Sequence, residues 1–268
     1  FAWTKRQRLR SSLLTAERLL RVLANNISPE TMSNMMPALL PTAVGEGTID
    51  WVVGLADSAF KGWVVDGSSI EGLAEDYDTS SHQVRHTTVD HGLPLTFWRS
   101  VGHSYTAFAK ETAMDELAAQ AGIDPVAFRV RNLTQNPRLQ NVVRLAGEHM
   151  QQMKVAAGRA LGFAAHHSFA TDVAEIAEVS VANGKIRVHR VVCVVDCGIA
   201  VNPDVVRAQM EGAVMYGLTA ALHGNLELEK GQVVESNFHN YPILRMDEAP
   251  EVEVIIVDSG TSPTGVGE

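Results

Sequence analysis

LTFWRSVGHSYTAFAKETAMDELAAQAG, the beginning of the stretch Leu95–Asn132, divides into three parts. An apolar and aromatic strand comes first, a polar turn with one glycine follows over Arg99–Ser104, and a helix is predicted over about Tyr105–Ala121. A strand–turn–helix unit presents backbone N–H groups and the positive end of a helix dipole beside Arg99. Such a place suits an anion, above all a phosphate or an electron-rich cofactor oxygen, although an ordinary connection with a surface arginine is the alternative.

Strand patterns dominate the second half of the sequence. Val173–Val181 and Ile186–Val195 read as strands joined at Asn183-Gly184, which is a signal for a type I′ hairpin. Asn202 precedes a proline as an N-cap signal, and this predicts a helix over about residues 203–222. Strand–turn–helix units mixed with antiparallel hairpins predict an α+β fold.

The remaining elements follow the same kinds of signal. Helices are predicted over 11–24, from Asp124-Pro125 to Asn136, and over Arg138–Met150. The predicted linker is Gln151–Arg159. A hairpin is predicted over Leu226–Glu235, and the final strand over Val252–Val257. Gly212 and Gly217 lie inside the long helix, where each costs about 1 kcal/mol relative to alanine. We therefore expect a close neighbour there, either a helix or a ligand.

Composition excludes several classes of protein. The chain has 268 residues, of which 46% are hydrophobic and 20% charged, so a disordered or collagen-like chain is excluded. The net charge of −9 argues against nucleic acid as a partner, because phosphate neutralisation needs a basic face. The basic cluster Lys5–Arg10 is too short to change this conclusion, and no apolar run approaches the 18–20 residues of a membrane span.

Cysteine and histidine spacing gives no metal signature. Cys193 and Cys197 have the spacing C-x3-C, which is neither a zinc nor a redox motif, and Cys193 is expected in the core. His166 and His167 are adjacent, and sequence neighbours do not face one site in regular structure, so both are interpreted as structural. The nucleotide-binding motifs G-x-G-x-x-G and G-x-x-x-x-G-K-[ST] are absent from the sequence.

Three pieces of sequence together resemble one family. They are FWRSVGHS (97–104) with the helix ETAMDELA (111–118), VVDCGIAVNPDVVRAQMEGAVMYGL (194–218), and SNFHNYPILRMDEAPEVEV (236–254) running into GVGE (265–268). In this order and spacing they resemble the molybdenum-binding large subunit of the xanthine dehydrogenase/aldehyde oxidase family. Within it, isoquinoline 1-oxidoreductase beta subunits and bacterial membrane-bound aldehyde dehydrogenase large subunits are the most similar.

The resemblance implies roles for individual residues. Arg99 matches the arginine of the family's cofactor-contacting turn, and Gln209 matches a glutamine that hydrogen-bonds the molybdopterin. Glu268 matches the glutamate that serves as general base, and Val101 falls at a substrate-facing position. The same resemblance implies cofactor contacts for Ser100, Gly102, His103, Gly212 and Gly267. No protein ligand to the metal is implied, since the dithiolene of the pterin holds it.

The resemblance also implies an activity. The chain is expected to be part of the catalytic large subunit of a molybdenum hydroxylase, an enzyme that oxidises an aldehyde to a carboxylic acid with water as the oxygen source. Hydroxylation of an N-heteroaromatic substrate of the isoquinoline type is the alternative, as is a non-catalytic assembly piece of such a complex. The implied fold is the molybdopterin-binding domain of these enzymes.

Cofactors, partners and location follow from the same resemblance. The expected cofactor is molybdenum–molybdopterin in its cytosine dinucleotide form. Two cysteines cannot hold an iron–sulfur cluster, so 2Fe-2S clusters are expected on a small iron–sulfur subunit. A cytochrome c subunit and the remaining segments of the large subunit are further expected partners. The periplasmic side of the bacterial inner membrane is the expected location, with the cytoplasm as the alternative.

Domain boundaries are set by where the resemblance is dense. Residues 1–91 are expected to be the loosely matched N-terminal part of the molybdenum-binding region, and 92–268 the molybdopterin-binding domain, truncated at GVGE. The glycine-rich segments G-G-x-F-G and M-G-Q-G of the family are missing, and the chain begins with Phe1. We therefore expect a piece of a longer subunit.

Overall fold

A computed structural model of the chain describes residues 42–43, 48–56, 70–73, 76–78, 81–89 and 98–267. Several predicted features lie outside these residues: the N-terminal helix over 11–24, the basic cluster over 5–10, the strand residues 95–97 and the candidate base Glu268. The division into domains at residue 92 stays a prediction.

A four-stranded sheet forms the centre of the fold. Its strands are β4 (Arg159–Ser168), β5 (Thr171–Ala182), β6 (Lys185–Asp196) and β9 (Glu251–Ile256). The first three strands are antiparallel neighbours, whereas β9 pairs with β6 in parallel. Smaller sheets are formed by β1 (Thr42–Ala43), β2 (Thr48–Ala56) and β3 (Ser81–Val89), and by the hairpin β7 (Leu228–Glu229) and β8 (Gln232–Val233).

Four helices surround the central sheet in the described part of the chain: α1 (His103–Ala121), α2 (Pro125–Arg131), α3 (Pro137–Gln152) and α4 (Pro203–His223). The last three share one start signal, a proline at the first helical position preceded by Asp124, Asn136 or Asn202. In each case the capping side chain accepts a hydrogen bond from the first-turn amides, which satisfies donors that the helix itself leaves unpaired. Helix α1 differs, because it begins after Gly102 with no side-chain cap.

The two faces of the sheet are covered by different helices. Helix α3 covers one face, and its Leu139, Val142 and Val143 are fully buried in the main core with Ile176 and Val194 of the strands. Helix α4 covers the other face through two smaller apolar clusters, one around Met210 and Cys193 and one around Val214 and Val191. The expectation that Cys193 lies in the core is confirmed.

The predicted elements match the structure with four corrections. Helix α2 ends at Arg131, before the predicted stop at Asn136. Helix α1 begins at His103, two residues earlier than predicted. The predicted linker is shorter, because residues 151–152 end α3 and Arg159 already begins β4. Strand β4 was missed altogether, since its turn to β5 uses Phe169 and Ala170 at positive φ (49° and 63°) and carries none of the usual glycine or asparagine signals.

Hairpin turns were predicted correctly where the sequence carries the expected residues. Asn183 and Gly184 both have positive φ, as a type I′ turn requires, and Lys230 and Gly231 repeat the pattern between β7 and β8. Strand β5 shows the expected alternation of buried and partly exposed residues. The α+β architecture is confirmed.

A buried charge network connects helix α1 to helix α2. Arg129 of α2 is fully buried and donates from Nε to Glu111 Oε2 at 2.8 Å and from Nη1 to Asp115 Oδ1 at 2.7 Å. Burial alone would lower the pKa of Arg129, but the two carboxylates raise it above its ordinary value. The arginine therefore stays charged, and the network joins α1 to α2.

Removal of the Arg129 guanidinium is expected to destabilise the fold strongly. Arg129→Met leaves the Glu111 carboxylate buried without its main partner, at a cost of about 3–5 kcal/mol. The matched control is Arg144→Met, since Arg144 makes exposed contacts within α3, to Glu148 and Asn141, and this change should cost below about 1 kcal/mol. Urea unfolding midpoints of the two variants check the difference, and equal midpoints would contradict it.

Candidate functional site

The turn before α1 holds two non-glycine residues in the left-handed region. Ser100 has φ 70° and Val101 has φ 49°, and the turn is closed by a 3.0 Å hydrogen bond from Val101 N to the carbonyl of Trp98. Positive φ is unfavourable for a β-branched residue, so the surrounding structure must hold Val101 in place. Strained backbone of this kind is concentrated at functional sites, which agrees with a special role for this turn.

Arg99 reaches across the molecule to the C-terminal segment. Its Nε and Nη2 both donate to the carbonyl of Gly267, at 3.0 and 2.6 Å. The guanidinium also lies over the ring of Tyr216 on α4, 5.2 Å from the ring centroid, and the Trp98 ring lies 5.6 Å from the same ring. A cation held by a carbonyl and an aromatic face keeps its remaining donors in a fixed direction.

Gln209 of α4 comes to the same place. A side chain added at Gly267 would have its Cβ 3.9 Å from Gln209 Nε2, so the glutamine amide lies beside the backbone that Arg99 holds. Tyr216 follows Gln209 by seven residues, which places both on one face of the helix. Helix α4 and the turn before α1 therefore meet at Gly267.

The two glycines of α4 were expected to have a close neighbour, either a helix or a ligand, and in the described part of the chain no helix is that neighbour. Nothing described lies within 4 Å of a Cβ built at Gly212 or Gly217, and both residues are exposed. Gly212 is one turn from Gln209, so the helix surface beside the glutamine is open. A flat group could lie against it without meeting a side chain.

The side chain of His103 points to a different neighbourhood. Its Nδ1 lies 2.8 Å from His166 Nε2, and its ring is 5.5 Å from Phe169. Burial, together with Lys110 and His103, lowers the pKa of His166 to about 2, so this histidine stays neutral. Lys110 in turn is buried and donates to the Asp76 carboxylate and to the carbonyl of Gly72.

His167 faces the opposite side of β4 and has its own partner. Its Nδ1 lies 2.7 Å from Asp172 Oδ1, and this hydrogen bond raises the pKa of His167 although partial burial lowers it. The adjacent histidines thus serve two separate contacts, in agreement with their interpretation as structural residues.

The structure brings together three of the residues that the sequence singled out: Arg99, Gln209 and Gly267. Ser100, Val101 and Gly102 form the turn next to them, whereas the His103 ring contacts His166 and Phe169 instead. Glu268 follows Gly267 in sequence but lies outside the described residues. Tyr216 was missed, although its spacing of seven from Gln209 was visible in the sequence.

Two properties of the described residues bear on cofactor and membrane contacts. Across 98–267 and the shorter described stretches, no group of three or more His, Cys, Asp or Glu side chains could hold a metal ion. No helix in that same part of the chain has the length and apolar character needed to cross a membrane.

Comparison with known proteins gives consistent matches. The profile of the family described as molybdopterin cofactor-binding domain matches residues 97–250, and a second profile of the same description matches residues 54–133. Isoquinoline 1-oxidoreductase subunit beta of Brevundimonas diminuta is 34% identical over 208 residues, which cover 75% of this chain and 26% of that protein. Membrane-bound aldehyde dehydrogenase (pyrroloquinoline-quinone) of Gluconacetobacter polyoxogenes is 30% identical over 249 residues, which cover 81% of this chain and 32% of that protein.

A solved structure shows the same fold. Quinoline 2-oxidoreductase from Pseudomonas putida 86 superimposes with a TM-score of 0.69 at 12% identity, covering 82% of this chain and 55% of that one. At this identity the likeness concerns the fold alone. The chain spans 26% and 32% of the length of the two curated relatives, so it corresponds to a part of each.

Acid is expected to destabilise the native protein partly through His166. Its pKa is lowered on folding, so its contribution to stability is present above about pH 6.5 and is lost as the pH falls from there toward 2. His166→Gln should therefore show a smaller drop in melting temperature between pH 7.5 and 5.0 than the wild type. The control is His239→Gln, at an exposed histidine, which should show the same drop in melting temperature as the wild type. An unchanged drop in His166→Gln would disprove the contribution of His166 to acid destabilisation.

Proposed function

The chain belongs to the molybdopterin cofactor-binding family, and from this premise we propose that it forms part of the catalytic large subunit of a molybdenum hydroxylase. The resemblance carried by its three motifs is confirmed by the matches to this family. The observation that carries the proposal is the meeting of all three motifs at one place, where Arg99 holds the Gly267 carbonyl beside Gln209.

The residues at this place fit a molybdopterin. Arg99 provides a guanidinium and Gln209 an amide, donors that suit the phosphate and ring oxygens of an anionic pterin. Gly212 and Gly265 have no described atom within 4 Å of an added Cβ, so a flat group could approach the backbone there. When bound, the cofactor supplies a redox-active metal that takes two electrons from the substrate, with its own dithiolene as metal ligand.

Glu268 is the proposed general base. A carboxylate near a water-excluding cofactor can take a proton from the attacking oxygen at neutral pH. Glu268 follows Gly267 directly, and the two hydrogen bonds from Arg99 fix the carbonyl of Gly267. Because this carbonyl belongs to the peptide unit that ends at the Glu268 α-carbon, the arginine restricts the region that the carboxyl group can reach.

The substrate is proposed to be an aldehyde, which would be oxidised to a carboxylic acid with water as the oxygen source. N-heteroaromatic hydroxylation is the second candidate, and the name of the 34% identical relative, isoquinoline 1-oxidoreductase, favours it. The aldehyde proposal is supported by the name of the 30% identical relative. Val101 is proposed to face either substrate. Turnover assays of the complete complex with both substrate classes decide between them.

Electrons are proposed to leave through 2Fe-2S clusters on an iron–sulfur subunit. Onward transfer to a cytochrome c subunit is part of the same proposal. The pterin is proposed to be in its cytosine dinucleotide form, and the complex is proposed to act on the periplasmic side of the bacterial inner membrane. Mass spectrometry of the native complex identifies the partner chains and the nucleotide. Cell fractionation tests the location against the cytoplasmic alternative.

Glu268→Gln should abolish most turnover while leaving the cofactor in place. The change removes the proton acceptor but keeps the size of the side chain, so kcat should fall by roughly 10²- to 10⁴-fold. Molybdenum content by elemental analysis should stay at the wild-type level. The exposed Glu251→Gln on β9 is the matched control and should leave kcat unchanged. A metal-replete Glu268→Gln complex with full turnover would refute the base assignment.

Gln209→Leu is expected to weaken cofactor retention. Loss of one hydrogen bond, about 0.5–1.5 kcal/mol, corresponds to roughly 2- to 10-fold weaker binding. Molybdenum per complex, measured after dialysis, should fall accordingly. Gln152→Leu, at the exposed end of α3, serves as the control and should retain the metal. Wild-type retention in Gln209→Leu would contradict the proposed contact.

A further inference from the structure

We propose that Thr171 is a positioning residue for the candidate base, because its hydroxyl, bonded to both Thr264 and Gly265, fixes the segment that leads to Glu268. The role of Glu268 in this statement rests on the proposed function. The anchoring of the segment by Thr171 does not.

The segment after β9 has no regular secondary structure over residues 257–267. A strand is held by a continuous ladder of backbone hydrogen bonds, but an irregular segment depends on individual contacts. Backbone hydrogen bonds join the segment to the end of β6 and to the residues after it. Val257 N donates to the Val195 carbonyl, Ile199 N donates to the Thr261 carbonyl, and Thr264 N donates to the Cys197 carbonyl. The segment therefore lies directly on the turn that follows β6.

Gly198 in that turn allows the close approach. It has φ 69°, and a Cβ built there would lie 2.2 Å from the carbonyl oxygen of Ser262. A side chain at this position would push the segment away. Backbone thus meets backbone here, and the path of the segment over residues 261–264 is set by the turn.

Asp196 provides the upstream anchor. Its Oδ1 accepts from Ser259 Oγ at 2.7 Å, from Gly198 N at 2.9 Å and from Arg138 Nη2 at 3.0 Å. Burial would raise the pKa of Asp196, but these donors lower it, so the carboxylate stays ionised. Arg138 also lies 3.5 Å from Asp172 Oδ2, which connects this anchor to the beginning of β5.

Thr171 provides a second anchor, further along the segment, at Thr264 and Gly265. It begins β5, an interior strand of the central sheet, and only 5% of its surface is exposed. Its Oγ1 donates to the Gly265 carbonyl at 2.6 Å and lies 2.6 Å from Thr264 Oγ1. A hydroxyl has one hydrogen, which goes to the carbonyl, so Thr264 must be the donor in the second contact.

Beyond Gly265, two further contacts hold the segment. Val266 packs against the apolar cluster around Cys193 and Met210, and the Gly267 carbonyl accepts from Arg99. The Arg99 guanidinium is partly exposed and belongs to a long flexible side chain, whereas Thr171 is short and belongs to a buried strand. We therefore expect the threonine to set the position of residues 264 and 265, and the arginine to hold the next part of the segment at the Gly267 carbonyl.

The test compares Thr171→Val with Thr171→Ser in the complete complex. Valine keeps the shape but removes the hydroxyl, and serine restores the hydroxyl without the methyl group. For Thr171→Val we expect faster amide hydrogen exchange over 264–267, kcat lower by roughly 10- to 100-fold because the base is misplaced, and little change in KM. Thr171→Ser should recover most of both properties, and molybdenum content should stay at the wild-type level in both.

Thr219→Val is the matched control, since that hydroxyl donates to the Met215 carbonyl within α4 and accepts from Leu244 N, away from the segment. It should leave exchange over 264–267 and kcat unchanged. Thr264→Val removes the other hydroxyl and should give a smaller effect of the same kind. If Thr171→Val does not assemble, exchange and kcat in Thr264→Val decide the question.

Three results would overturn the proposal: unchanged exchange over 264–267 in Thr171→Val, unchanged kcat despite faster exchange, or no recovery in Thr171→Ser. Failure of the proposed function gives a different result. In that case Glu268→Gln keeps its turnover, while the exchange measurement on the Thr171 variants still reports whether the segment is anchored there.

Discussion

The other parts of this structure depend on the hydrogen bonds that the buried carboxylate of Glu111 accepts. Its Oε2 accepts from Arg129 Nε and from the backbone N–H of Ala165, both at 2.8 Å, and its Oε1 accepts from the Tyr77 hydroxyl at 2.8 Å. One buried charge thereby joins α1, α2, β4 and the chain around Tyr77. A buried carboxylate with so many donors is stable only when all of them are present, so these elements must come together as a unit.

Both walls of the candidate site extend from this unit. Helix α1 leads back from Glu111 to the turn that carries Arg99, and β4 leads forward from Ala165 to the start of β5 at Thr171. Arg99 and Thr171 then hold the C-terminal segment from two sides, at Gly267 and Gly265. The site therefore consists of irregular backbone supported by rigid elements, an arrangement that combines access to the backbone with accurate placement.

Backbone strain is located in two turns, one before α1 and one between β4 and β5. Ser100-Val101 and Phe169-Ala170 are pairs of non-glycine residues at positive φ, and they lie at the beginning of α1 and between β4 and β5. The His103 ring touches Phe169 and His166, so one side chain connects the two strained turns. Neither turn would adopt this conformation by local preference, and the packing around them supplies the difference in free energy.

The sequence by itself determined what depends on near neighbours in the chain. The Asp/Asn–Pro starts of α2, α3 and α4, the Asn183-Gly184 hairpin and the burial of Cys193 all rest on local patterns, and motif order was enough to indicate the family. Tertiary structure alone decided the rest. Arg99 and Gly267 are 168 residues apart, and Thr171 and Gly265 are 94 apart, so no local spacing reveals these contacts. Strand β4 and its turn were missed for the same reason, because the contacts at Phe169 and Ala170 come from His103 and Arg138, which are distant in sequence.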